Sequence, residues 1–360
     1  MKKWLVFALC AVLMFSLCAC GKKDKNESDI PTGGDGYRLG LATVSSMELM
    51  GKESTNVTAT VAAVLLDGKG VIRQCRLEEV AFDATLKNGV LQDMMDMLGK
   101  WEMGDDYDLT DDERGDSQTT LTWKEQVEAF CNHVEGMTPD EVSGIAATDG
   151  RTSEIKGCHL VVTDFIQAVH KAGKAAMTSA AHKEDTLRLA VSAATGADST
   201  DQAPRYDIDL AAVTVDKSGK VTACRTDSLQ AKMTVEEGLF SMASGDIATK
   251  RQMGDTYGMK KASSIKKEWY EQADAFDAYV VGKTADGLRG IKTNSEGKVD
   301  GISGCTIAVN GMLKTVIKAV TMPAEGTAGS STTTTTRGSL ASDVSDTVSD
   351  IADDVSDMTD

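Results

Sequence analysis

The stretch Asp300-Gly301-Ile302-Ser303-Gly304-Cys305-Thr306 places a carboxylate, two hydroxyls and a thiol close together, directly ahead of an apolar run. Ile307, Val309, Met312, Leu313, Val316, Ile317 and Val320 then recur at the spacing of one buried helical face. Thr306 thus stands where a helix is expected to begin, and two roles fit it. As an N-cap, its hydroxyl would accept from an orphan backbone N–H of the first turn. As a site of chemistry, it would carry or hold a phosphate in the partial positive field of the helix N-terminus. Gly304 leaves the backbone bare for close approach, and Cys305 adds only a small side chain, so a bulky modifying enzyme would reach Thr306.

The pattern occurs a second time, earlier in the chain. Ser153-Glu154-Ile155-Lys156-Gly157-Cys158-His159 precedes another apolar helical run, with Lys156 in place of Ser303 and His159 in place of Thr306. An imidazole cannot form a stable phosphoester. With an ordinary pKa of about 6.5, His159 would contact a phosphate or shuttle protons; the other reading makes this copy a degenerate duplicate kept for packing.

The elements that position these residues are repeated as well. YRLGLATVSS from Tyr37 matches LRLAVSAATG from Leu187, and the segment ending at Cys75 matches the one ending at Cys224. KWEMGDDYDL from Lys100 matches KRQMGDTYGM from Lys250, and WKEQVEAF from Trp123 matches WYEQADAF from Trp269. The copies lie about 150 residues apart, a domain-sized period and not that of a solenoid. Ile208, Leu210, Ala212 and Thr214 alternate with Asp207 and Asp209 as in a strand, and Asp216-Lys217-Ser218-Gly219 is the expected hairpin turn to a strand from Val221. Helices are expected over Val90–Leu98, over Val235–Met242, and through Trp269, Ala273, Phe276 and Val280 with Gly282 closing the last. Asn294-Ser295-Glu296-Gly297 is a further turn. The expected fold class is α+β, two tandem copies of a small domain, each an antiparallel sheet with packed helices.

Asp300 to Thr306 resembles the Asp-x-x-(Ser/Thr)-Gly-Ala-Thr motif of FMN-binding domains, found in flavin subunits of the Rnf and sodium-pumping NADH:quinone oxidoreductase complexes and in lipid-anchored flavoproteins of extracellular electron transfer. Met253-Gly254-Asp255-Thr256-Tyr257-Gly258 and the Trp-Tyr-Glu-Gln stretch from Trp269 also look like family features. The resemblance implies covalent FMN, joined through a phosphoester to Thr306 by a dedicated magnesium-dependent flavin transferase acting from FAD. Asp300, Ser303, Gly304 and Cys305 would be the recognised surroundings, Cys305 standing where the family has Ala. In the first copy the aspartate is lost and His159 replaces the acceptor, so covalent flavin is not expected there.

At the start of the chain, Lys2 and Lys3 precede an apolar run from Trp4 to Leu17, too short to persist as a membrane span. Leu17-Cys18-Ala19-Cys20 resembles the bacterial lipobox, which implies a signal peptide over 1–19 and lipid on Cys20; a plain secretory signal is the alternative. Residues 20–36 read as a flexible tether, followed by domains at 37–183 and 184–324. Residues 325–360 form a low-complexity linker and an acidic tail with an apolar stripe from Leu340 to Met358, either a partner-docking helix or a solvated tail.

The formal net charge of −17 argues against a nucleic-acid partner, since basic clusters are confined to the tether and to Lys260, Lys261, Lys266 and Lys267. Five cysteines follow Cys20, an odd number without CxxC spacing, so neither a disulfide framework nor a metal site is expected. The function expected is a membrane-anchored extracytoplasmic redox carrier, passing electrons between a membrane donor and an extracellular acceptor, rather than a stand-alone oxidoreductase: no catalytic pair stands out. A flavin-dependent reductase component needing a partner, since no GxGxxG follows a strand, and a non-redox surface lipoprotein are the alternatives.

Overall fold

The computed structural model describes residues 36–92, 98–115, 119–196, 198–242 and 244–322. The signal segment, Cys20 and the tail lie outside the described residues. The chain is α+β. β1 (Arg38–Leu49), β2 (Ser54–Leu66) and β3 (Ile72–Lys87) form an antiparallel meander, with the two-residue β4 (Val90–Leu91) beside β3. Two short helices, α1 (Lys100–Met103) and α2 (Asp111–Arg114), lead to α3 (Trp123–Val134), α4 (Pro139–Ser143) and α5 (Thr163–Lys174).

The second half runs in the same order. After β5 (Met177–Thr178), which pairs with β1, comes the meander β6 (Thr186–Thr195), β7 (Arg205–Val215) and β8 (Val221–Lys232). A small hairpin, β9 (Val235–Glu236) with β10 (Leu239–Phe240), is followed by β11 (Gly245–Asp246), which joins the free edge of β1. The helices are α6 (Lys250–Met253), α7 (Met259–Ala262), α8 (Trp269–Val280), α9 (Ala285–Arg289) and α10 (Asn310–Thr321).

Strand parity decides the layering. On β2, Val57, Ala59, Val61, Ala63 and Leu65 point into one core together with Ile208, Leu210 and Ala212 of β7 and Leu187, Leu189 and Val191 of β6. Ala62, Val64 and Leu66 point the other way, onto Trp123, Val127 and Phe130 of α3 and Phe165, Val169 and Ala172 of α5. The unbroken apolar run Val61–Leu66 is what a strand covered on both faces requires. The two sheets therefore meet face to face through a shared core, in which the Phe82 and Tyr206 rings pack edge to face at 5.2 Å. α8 packs on β8, burying Trp269, Ala273, Phe276 and Val280.

The hairpin at Asp216 is as expected: Gly219 N–H donates to the Asp216 carbonyl at 3.0 Å and takes φ +80°. The expected helix over Val235–Met242 is not formed, and Val90–Leu91, the start of the stretch expected to be helical up to Leu98, is strand. Val90–Leu91, Val235–Glu236 and Leu239–Phe240 are strand residues of tight hairpins, turning through Asn88-Gly89 (φ 54° and 78°) and Glu237-Gly238 (φ 52° and 78°), the left-handed pairs of a primed turn. Residues 93–97 lie outside the described residues. The two turns touch one another: a Cβ on Gly89 would lie 2.9 Å from the Cα of Gly238. Among the described residues no helix is long and apolar enough to cross a membrane.

Candidate functional site

Between α9 and α10 the chain crosses α8 as a loop. Its apolar residues Ile302, Cys305, Ile307 and Val309 are buried, whereas Asp300, Ser303 and Thr306 are exposed. Cys305 N–H donates to the Ile302 carbonyl at 3.2 Å and Val309 N–H to the Gly297 carbonyl at 2.7 Å, so the loop is pinned at both ends. Gly304 takes φ +82°, and a Cβ there would lie 2.9 Å from the Lys267 ammonium. Burial pushes the Cys305 thiol above its ordinary value, so it stays protonated.

Thr306 is not a helix cap. α10 begins at Asn310, and Thr306 donates both its backbone N–H, at 2.9 Å, and its hydroxyl, at 3.0 Å, to Gln272 Oε1. The apolar periodicity from Ile307 reads as the first turn of the helix, but Ile307 and Val309 are single anchors of an irregular loop. The terminal dipole of α10 therefore does not act on Thr306 at first-turn distance, where such fields are appreciable. α5 likewise starts at Thr163, beyond His159.

Gln272 closes the Trp-Tyr-Glu-Gln stretch noted in the sequence, but sequence reasoning gives it no role at the site. It lies fully buried on α8, and its amide nitrogen donates to the Lys267 carbonyl at 3.1 Å and to Ser263 Oγ at 3.2 Å. Those donations orient the amide, leaving its oxygen to Thr306. In the first half, fully buried Gln126 on α3 accepts the His159 N–H at 2.7 Å in the same manner. The signal was the repeated Trp-x-Glu-Gln, a polar side chain on the apolar face of each helix.

Thr306 opens onto a cavity of about 490 Å³. Trp269, Tyr257, Met259 and Ile307 give it apolar and aromatic walls, and Lys250 and Lys298 supply cations. The Lys250 ammonium sits 5.2 Å from the Trp269 ring centre and 5.7 Å from that of Tyr257. Burial lowers the Lys250 pKa, opposed chiefly by the carboxylate of Asp209.

Behind this wall a buried charge network locks α6 and α8 to β8. Asp277 accepts from Thr226 Oγ1 at 2.6 Å and pairs with Arg251 at 2.7 Å, while Asp274 pairs with both Arg251 and Arg225 at 2.6 Å. Burial pushes Asp277 up to about 6 against the pull of Arg251. The network fixes the helices that carry Lys250 and Gln272.

In the first half the corresponding lysine is engaged by carboxylates. Lys100 lies 4.9 Å from the Tyr107 ring centre and 6.0 Å from that of Trp123, but it also pairs with Glu79 and, at 2.6 Å, with Glu113. Arg151 donates to the carbonyls of His159, Asp112 and, at 3.3 Å, Glu113, which ties α2 down beside His159. Lys156 and Glu154 are exposed.

A larger cavity, about 730 Å³, opens elsewhere, where β1 meets α5 and α6, and its lining includes none of Asp300, Ser303, Gly304, Cys305 and Thr306. Among the described residues no group of His, Cys, Asp and Glu is placed to hold a metal ion. Comparison with known proteins finds no matching family model, no matching curated sequence and no matching solved structure.

Proposed function

We propose that the chain is a duplicated FMN-binding protein, carrying FMN as a phosphoester on Thr306 and serving as a lipid-anchored redox carrier outside the cytoplasmic membrane. The observation that carries this reading is Thr306, an exposed residue in the lining of the 490 Å³ cavity, a volume in the range of small-molecule sites. The residues present suit the group. Thr306 offers the oxygen, Lys250 and Lys298 offer charge to a phosphate, and Trp269, Tyr257, Met259 and Ile307 offer flat and apolar contact to a ring system. FMN, when bound, supplies reversible one- and two-electron redox chemistry.

The chain's own residues do the positioning. Gln272 Oε1 accepts a hydrogen bond from the Thr306 hydroxyl and so directs the oxygen lone pairs away from α8. The exposed Asp300 and Ser303 and the bare Gly304 form the face that a flavin transferase would read. His159 has no hydroxyl, and Arg151 holds its carbonyl beneath α2, so the first half carries no covalent flavin in this reading. Lipid on Cys20 would hold the protein at the membrane, with the donor on the membrane and the acceptor outside.

The test is co-production with a flavin transferase, followed by intact mass and visible spectrum. The expected result is one added FMN-phosphoryl mass and a yellow protein, both lost in Thr306→Ala. An unmodified mass in the wild type overturns the reading.

A further inference from the structure

The two halves place a lysine between the same two aromatic side chains, yet they complete the surroundings differently. Lys100 sits against Tyr107 and Trp123, and Lys250 against Tyr257 and Trp269. In the first half the Glu113 carboxylate occupies the space in front of the lysine. One oxygen accepts from Lys100 at 2.6 Å and from the Tyr107 hydroxyl at 2.6 Å; the other accepts from the Thr110 N–H and hydroxyl, both at 3.0 Å. Burial alone would raise Glu113, but the hydrogen bonds from Lys100, Tyr107 and Thr110 hold it down at about 2. This is a seat satisfied by a full negative charge.

In the second half the corresponding helical turn is α7, which brings no carboxylate. Met259 and Ala262 of that turn line the cavity instead, and the space in front of Lys250 belongs to it. Lys250 keeps its two aromatic neighbours, and Asp209 is the foremost carboxylate acting on it.

We infer that Lys250 and Tyr257 form a seat for an anionic oxygen of the bound group, a phosphate in chemical class, and that Glu113 is the chain's own occupant of the matching seat in the first half. One cavity is thus closed by an internal carboxylate, and the other is left for a ligand. The assignment draws on the flavin reading only for the ligand's name, because the seat is defined by Glu113 and its donors.

The experiment uses the full chain produced without a flavin transferase, and the probe is inorganic phosphate measured by equilibrium dialysis. The wild type is expected to bind one phosphate, and Lys250→Met to weaken it roughly tenfold or more, as loss of a charged hydrogen-bond donor does. Glu113→Ala is expected to gain a second phosphate that Lys100→Met, added to it, removes. Glu113→Gln fills the seat without charge and gains none. Circular dichroism reports folding of each variant, and the Lys250→Met comparison stands by itself should Glu113→Ala unfold. Phosphate binding that is absent from the wild type, or indifferent to Lys250→Met, overturns the seat. Failure of the flavin reading would appear separately, as an unmodified intact mass after co-production with the transferase.

Discussion

Thr306 and Gln272 are joined twice through one atom: the Thr306 N–H and hydroxyl both donate to Gln272 Oε1, at 2.9 and 3.0 Å. The amide is itself oriented by the Lys267 carbonyl and Ser263, so the threonine oxygen is held by α8 and not by α10. Gln272→Leu keeps the volume but removes the acceptor, leaving two donors without a partner. The variant should unfold at lower denaturant, by roughly 1–3 kcal/mol. Intact mass after co-production with a flavin transferase should show a smaller modified fraction than in the wild type. Wild-type occupancy in Gln272→Leu would dissociate the two residues functionally.

Asp277 and Arg251 form a pair almost closed to water, with side chains 7 % and 8 % exposed. Asp277→Ala leaves the guanidinium buried with one carboxylate fewer and strips Thr226 of its acceptor. The expected loss is about 3–5 kcal/mol in denaturant unfolding. The double variant Asp277→Ala, Arg251→Met should recover part of it, and a double variant no more stable than the single would show that charge is not the cause.

Glu78 governs a pH dependence. Burial pushes its carboxyl from an ordinary 4.5 up to about 7, against the Trp101 and Glu79 N–H groups that donate to it at 2.9 and 2.8 Å. The folded-state value lies above the unfolded one, so folding favours the protonated acid. Its contribution is complete below about pH 4.5 and is lost as pH rises through about 7. Glu78→Gln retains an acceptor oxygen and should flatten the fall of unfolding free energy over that window. Asp209 and Asp277, both pushed up to about 6 by burial, leave a residual slope of the same sign. An unchanged slope in Glu78→Gln would assign the whole dependence to other groups.

Gly89 combines a left-handed backbone, φ +78°, with contact to the Gly238 turn. Gly219 has a similar φ, +80°, and open space around it. Gly219→Ala should therefore cost only the backbone term, about 1–2 kcal/mol. Gly89→Ala should cost more, because its Cβ would meet the Gly238 Cα at 2.9 Å. Equal losses in thermal or denaturant unfolding would mean that the two turns part freely.

Where local pattern and local structure share a cause, the sequence is a good guide. The alternation Ile208, Leu210, Ala212 gave β7, the Asp216–Gly219 cluster gave its turn, and the spacing Trp269, Ala273, Phe276, Val280 gave α8. It misleads where apolar spacing has another origin. Val235, Leu239 and Met242 are spaced as on a helix, yet Glu237-Gly238 folds them into a hairpin, just as Asn88-Gly89, a strong hairpin dipeptide, does before Val90. Ile307 and Val309 likewise imitated a helical turn. The cavity was out of reach for a different reason: Lys250, Trp269 and Thr306 come from separate elements, and only the packing of α6, α8 and the loop brings them together.

The common inner core makes each half depend on the other. Val61 and Leu65 face Ile208 and Leu210, so a half produced alone would expose its apolar sheet face to water. The fragment 37–183, made without the rest of the chain, should therefore self-associate, while the intact chain keeps that face covered.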